Sequence, residues 1–227
     1  MTPQGFRDCL LLVPTSLELD RLRSNRELDR TITELGVAVE LCGFGPVAAA
    51  AKTARLLAQT QYRRVLLAGI AGSYCDSLPV GSACLFEQVS CWGIGAGSGQ
   101  EFQIAPRIGF SQLSENRPEQ SSRDIVNLET PPNQAAQRLL LTCCAAAQSE
   151  DDCKQRLEHF PEAVAEDMEG FGVALACHAA GIPLVIVRGI SNRVGDRRVS
   201  GWAIGPALQA AAELAAYVLK TSSQGAP

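Results

Sequence analysis

No long hydrophobic run occurs in the sequence. The first apolar stretch, Cys9 to Val13, is too short for the core of a secretory signal, and nothing approaches the roughly 20 residues of a membrane-spanning helix. A membrane location is therefore not expected, and the chain is read as cytoplasmic. An excess of positive charge is also missing. Lys plus Arg number 20 against 24 Asp plus Glu, a formal charge of -4, so no global field would hold a phosphate backbone. Nucleic acid is excluded as the main partner on that ground. The sequence lacks any C-x-x-C pair, and only His159 and His178 could join its nine scattered cysteines as metal ligands. No metal site is expected, and the cysteines read as reduced, small hydrophobes in apolar runs.

What is present is core material. Hydrophobic residues make up 46% and charged residues 19% of 227, enough for one large domain without disulfide or metal staples. Short apolar runs alternate with longer patterned segments, the signature of strands joined by crossover helices in an α/β fold. Leu10 to Val13, Gly36 to Phe44, Arg64 to Ile70, Ser82 to Ser90 and Leu184 to Ile190 read as strands, with Ala163 to Ala165 a short extended piece. A polar helix with leucines at 17, 19, 22 and 28 follows the first strand. Pro46 opens an alanine-rich helix through Gln59, its missing N–H costing nothing in a first turn. Gln134 to Gln148 is read as a helix, Met168 to Ala180 as another, closed by Gly181 and Pro183, and Pro206 to Lys220 as a closing amphipathic helix.

The segment 93–123 is rich in Gly, Ser, Gln and Pro and is expected to be a flap-like mobile loop. Its G-x-G-x-G lacks the spacing and following helix of a dinucleotide site. The domain is set at 1–221, with 222–227 a frayed tail.

Polar groups gather at three places where strands or helices end. Glu18, in Pro14-Thr15-Ser16-Leu17-Glu18, has two readings: a carboxylate complementing a helix N-terminus in a T-x-x-E capping box, or a chemical group. Glu169, in Glu166-Asp167-Met168-Glu169, carries the same pair of readings. Arg188-Gly189-Ile190-Ser191-Asn192 follows a buried strand and delivers an amide to the edge where α/β sheets place ligands.

The run Phe160-Pro161-Glu162-Ala163-Val164-Ala165-Glu166-Asp167-Met168-Glu169-Gly170 resembles the F-P-x-A-x-A-x-x-M-E segment of the purine nucleosidase and phosphorylase superfamily. Gly69-Ile70-Ala71-Gly72, Gly43-Phe44-Gly45-Pro46 and Pro79-Val80-Gly81 are similar to its other blocks, in the same order. Ile190-Ser191-Asn192 stands where adenine-specific members carry I-S-D. Within the superfamily, Pro14 to Glu18, Met168 to Gly170, Ser191 to Gly195 and Trp202 resemble the futalosine hydrolases.

That resemblance implies a three-layer α/β/α domain, nucleoside phosphorylase-like, around a mostly parallel, mixed sheet. It implies hydrolysis of an N-glycosidic bond without a cofactor, in a step of menaquinone biosynthesis, on a small nucleoside, by a homo-oligomer. It gives Glu18 the role of general base on water, Glu169 the ribose hydroxyls, and Met168 a place against the sugar. Ala71 and Gly72 bring bare backbone to the substrate, with Ser191 beside them. No aromatic residue stands in 142–152, so base stacking falls to Phe160, Trp202 or the loop.

Asn192 offers one donor and one acceptor, matching a 6-oxopurine whose N7 is protonated. The expected leaving group is hypoxanthine, from futalosine. Alternatives are an adenine-type nucleosidase acting on methylthioadenosine or aminodeoxyfutalosine, a phosphorylase with Arg188 on phosphate, and a nucleoside-binding protein without catalysis. Arg193, Arg197 and Arg198 read either as solvated surface or as partners of a carboxylate at the far end of the substrate.

Overall fold

The computed structural model describes residues 7–113 and 123–223. In chain order the elements are β1 (Arg7–Val13), α1 (Ser16–Arg23), α2 (Arg26–Leu35), β2 (Ala38–Leu41), α3 (Pro46–Gln59), β3 (Tyr62–Ser73), β4 (Ala83–Trp92), β5 (Gly95–Ala96), β6 (Gln103–Ile104), β7 (Ile125–Asn127), β8 (Ala136–Cys143), α4 (Glu150–His159), β9 (Ala163–Asp167), α5 (Gly170–Ala180), β10 (Leu184–Arg193) and α6 (Ile204–Ser223).

β1, β3 and β10 are apolar without alternation because both faces of each are covered. Leu10 and Leu12 of β1 join one core cluster with Ala49 and Leu56 of α3 and Phe171 and Val173 of α5. Cys9, Leu11 and Val13 point the other way, into a cluster with Leu22, Leu28, Ile32 and the alanines of α6. The result is a sheet between two helical layers, the α/β/α arrangement expected.

The sheet is mixed and mostly parallel. β3 runs parallel to β1 and β10, β1 to β2, and β8 to both β4 and β9. β10 with β4, β3 with β9 and β4 with β7 are antiparallel. Because β3 pairs β10 along most of its length and β9 at its last two residues, the sheet curls upon itself at the carboxyl end of β3. That curl brings the ends of β1, β3, β9 and β10 together.

Three segments differ from the sequence expectation. Gln134 to Gln148 is not a helix: β8 occupies Ala136–Cys143 and the alanine-rich remainder is a loop. Leu139, Leu140 and Leu141 are all buried, lying between β4 and β9, and a strand covered on both faces shows no period to separate it from a buried helix. The helix comes later, as α4, started by Ser149 and Asp152 in a reciprocal capping box. The first polar helix is two, α2 being capped anew by the Asn25 side chain. α5 starts at Gly170, leaving Met168 and Glu169 in the turn after β9.

In the segment 93–113, β5 and β6 pair and Phe102 and Ile104 are buried in a third cluster with Leu139, Leu141 and Phe160. The rest of the expected flap, 114–122, lies outside the described residues. So does 224–227 of the expected tail, while 222 and 223 belong to α6. Among the described residues no helix is long and apolar enough to cross a membrane.

Candidate active site

Glu18 sits in the first turn of α1, whose N-cap is Thr15. The Thr15 hydroxyl accepts the Glu18 N–H at 3.3 Å, as a cap should, and donates to Glu18 Oε2 at 2.7 Å. In a full capping box the carboxylate would return to the Thr15 backbone. Instead Oε1 accepts the N–H of Ile70 from β3 at 3.1 Å. The carboxylate is thus buried and turned toward the end of the sheet.

β10 brings up its partner surface. Its register with β3 sets Arg188 opposite Gly69, and a bulge between Ile190 and Asn192 sets Asn192 opposite Gly72. Close approach excludes a side chain at Gly69 and leaves little room for one at Gly72. A Cβ on Gly69 would sit 2.3 Å from Arg188 Nη1 and 2.8 Å from Glu18 Oε1, and one on Gly72 would sit 3.3 Å from Asn192 Nδ2.

Arg188 is fully buried. Its Nε donates to Asp167 Oδ2 at 3.0 Å, Nη2 donates to the same oxygen, and Nη2 also reaches Glu169 Oε2 at 3.5 Å. Asp167 further accepts the Thr142 hydroxyl at 2.6 Å and the Gly170 N–H at 2.9 Å. Nε and Nη2 of this buried cation thereby face carboxylates, the pairing by which such a charge survives desolvation, while Nη1 is buried without a hydrogen-bond partner.

Glu169 accepts the Gly45 N–H at 3.1 Å, from the turn that opens α3. Burial pushes its carboxyl up to about 7; Arg188 and the Gly45 N–H pull it back, while Asp167 and Glu18 add to the rise. Asn192 Oδ1 accepts the Ser191 hydroxyl at 2.8 Å and Nδ2 donates to the Arg193 carbonyl at 2.8 Å. One N–H and one lone pair of the amide remain for a ligand.

A cavity of about 660 Å³ joins these groups. Glu18, Glu169, Asn192, Ala71, Gly72, Met168 and Ser191 all line it. Phe160 does not, which corrects the sequence reading of it as a base-stacking residue. It is 1% exposed and packs in the cluster of Phe102, Ile104 and Leu139 instead. Trp202 does line the cavity. Of the three arginines considered for a carboxylate, Arg197 lines it with its guanidinium 5.4 Å from the Trp202 ring centroid, whereas Arg193 pairs with Asp76 and Arg198 with Asp196. Arg188, considered for phosphate, is paired through Nε and Nη2 with Asp167 and Glu169.

Sequence reasoning passed over Asp167 as a partner, and over Glu166, Tyr74 and Arg156. The available signal for the Asp167 pair was Arg188 itself, a charge within an otherwise apolar strand, which demands a buried acid. Among the described residues no group of three His, Cys, Asp and Glu side chains could hold a metal ion.

A family model described as Phosphorylase superfamily matches residues 17–223. A futalosine hydrolase of Streptomyces coelicolor is 32% identical over 173 residues, 74% of this chain and 72% of that one. A 5'-methylthioadenosine/S-adenosylhomocysteine nucleosidase of Shewanella oneidensis is 28% identical over 168 residues, 73% of this chain and 70% of that one. In structure, the corresponding nucleosidase of Neisseria meningitidis, solved with methylthio-immucillin-A, superposes with a TM-score of 0.71 at 17% identity, over 94% of this chain and 99% of that one.

Proposed function

The chain belongs to the phosphorylase superfamily, and from that premise we propose that it is an N-glycosyl hydrolase that cleaves futalosine to hypoxanthine and dehypoxanthine futalosine, a step of menaquinone biosynthesis. The reaction breaks the bond from the anomeric carbon to the purine nitrogen. Positive character grows on the sugar and negative charge on the base, so a site must supply water to one and hydrogen bonds to the other. Glu18 takes a proton from that water as its oxygen bonds to the anomeric carbon. Glu169 receives the ribose hydroxyls. Asn192 donates to the base carbonyl and accepts from N7–H, the proton on N7 coming from solvent, since an amide has none to give.

The observation that carries this reading is convergence: Glu18, Glu169 and Asn192 come from three separate segments and line one cavity. A positioned base of this kind contributes about 10²- to 10⁴-fold. A carboxylate at Glu18 would repel phosphate, and Arg188 is already charge-paired with Asp167 and Glu169 through Nη2, which favours water over phosphate as the acceptor. The enzyme is read as cytoplasmic and independent of any cofactor.

A second reading is an adenine-type nucleosidase, favoured by the similarity to the Shewanella oneidensis protein. Base release from futalosine, inosine and methylthioadenosine, with and without phosphate, separates the possibilities. Hypoxanthine release from futalosine in phosphate-free buffer is expected. Faster adenine release, or strict phosphate dependence with a sugar 1-phosphate product, would replace the proposal.

A further inference from the structure

A second buried ion pair stands at one wall of the cavity, Glu166 lining it and Arg156 lying behind. Glu166 of β9 and Arg156 of α4 are both nearly inaccessible, and Arg156 Nη1 donates to Glu166 Oε2. The same oxygen accepts the Tyr74 hydroxyl at 2.6 Å, and Oε1 accepts the Ala147 N–H at 2.8 Å. Arg156 Nη2 donates to the Ala145 carbonyl at 3.1 Å. Burial above all, with the nearby Cys143 and Glu166, keeps the Tyr74 phenol protonated and therefore a donor. The loop leaving β8 is thus held at a carbonyl by the arginine and at an amide by the glutamate. Beyond it, Asp152 Oδ2 takes the N–H groups of Gln148 at 2.8 Å and Ser149 at 3.2 Å.

This loop lines the cavity, and its Ala145, Ala146 and Ala147 present nothing beyond methyl groups and backbone. The sheet register says which end of the cavity it serves. Gly72 is paired with Glu166 on one side and with Asn192 on the other, so Glu166, Gly72 and Asn192 form one row across β9, β3 and β10. Resting on the nucleosidase reading, which assigns Asn192 to the nucleobase, the wall of 145–147 borders the same nucleobase. A wall of bare backbone discriminates only by where its atoms are, and a shift of about 1 Å in such a surface is enough to spoil recognition.

We propose that Arg156 and Glu166 are positioning residues for the nucleobase end of the cavity: the pair fixes the 145–147 backbone and through it sets base affinity and preference. Neither touches the reacting atoms. Their loss acts on binding and selectivity, not on the hydrolytic step.

The test compares the parent with Glu166→Gln, Arg156→Lys and the doubly apolar R156M/E166M. A buried pair replaced at both ends by apolar groups commonly keeps the fold, so the double variant remains decisive if a single one does not fold. Thermal unfolding is recorded first. Calorimetry then gives the affinities for free hypoxanthine and free adenine, and steady-state kinetics give kcat and KM for futalosine. Expected for Glu166→Gln and the double variant are at least about a tenfold loss in hypoxanthine affinity and a matching rise in KM, with kcat within about threefold. The hypoxanthine-to-adenine affinity ratio should also change, and Arg156→Lys should recover part of the loss. Folded variants with the parent's base affinities and ratio would overturn the proposal and leave the pair a purely structural tie. A parent that binds hypoxanthine but hydrolyses no nucleoside would overturn the functional reading alone, the affinity comparison still deciding the role of the pair. A parent that binds neither base would overturn both.

Discussion

The backbone N–H of Ile70 donates to Glu18 Oε1 at 3.1 Å, linking a residue in the first turn of α1 to the end of β3. That bond separates Glu18 from an ordinary helix-capping acid. Its carboxylate serves the edge of the sheet, where it meets Glu169 and Asn192 in one cavity.

Removal of the charge at Glu18 is expected to stop turnover without stopping binding. In Glu18→Gln the side chain keeps its length and can still accept from Ile70, but under the proposed mechanism it has no basic oxygen to take a proton from water. A fall in kcat of about 10²- to 10⁴-fold is expected, with hypoxanthine affinity near that of the parent. Single-turnover base release alongside calorimetry measures both; a variant retaining parental kcat would remove Glu18 from the mechanism.

At Asn192 the prediction concerns choice of base. Asn192→Asp replaces the donor Nδ2 with an oxygen that repels a purine carbonyl and favours an exocyclic amine. The ratio of kcat/KM for methylthioadenosine over futalosine should rise by about tenfold or more, since an unpaired or repelled polar group is discriminated strongly. An unchanged ratio in competition assays would sever Asn192 from base recognition.

Stability should respond to pH through Glu169. Its carboxyl sits at about 7 when folded, chiefly from burial, against an ordinary value of 4.5. The folded state therefore binds this proton more tightly than the unfolded one. Its contribution to stability is complete below pH 4.5 and is lost as pH rises through 7. Glu169→Gln cannot ionise, so its unfolding free energy relative to the parent should improve between pH 5 and 8, by on the order of 1–3 kcal/mol, while activity falls. Parallel denaturant titrations at the two pH values give the answer; a constant difference between the proteins would show that the ionisation of Glu169 does not limit stability.

The close passage at Gly69 should tolerate no side chain. A methyl there meets Arg188 Nη1 and Glu18 Oε1 at once, and neither can retreat, because Arg188 is held by Asp167 and Glu18 by Ile70 and Thr15. Gly69→Ala is expected to cost about 1–3 kcal/mol in stability and to lower kcat by displacing Glu18. Thermal unfolding and turnover on the same preparation test this, and parental values for both would contradict the packing described.

Much of this molecule was written in local sequence. Leu10 to Val13, Arg64 to Ile70 and Leu184 to Ile190 are strands because continuous apolar runs of that length fit a sheet covered on both sides. Pro46 and Gly181 bound their helices for reasons internal to a few residues. The resemblance in the segment around Met168 and Glu169 was legible for the same reason: its residue types follow one another without interruption.

Tertiary structure decided what depends on a distant neighbour. Leu139 to Leu141 could be helix or strand until β4 and β9 closed on either side, because burial on all faces erases the period that tells the two apart. Phe160 could stack on a base or fill a core, and its packing against Phe102 and Ile104 chose the core. Whether Glu18 capped a helix or faced a cavity depended on Ile70, 52 residues away. Arg188 needed a buried acid, and only the proximity of β9 to β10 supplied Asp167. Composition can require that a buried charge be matched, but the curl of the sheet determines which residue matches it.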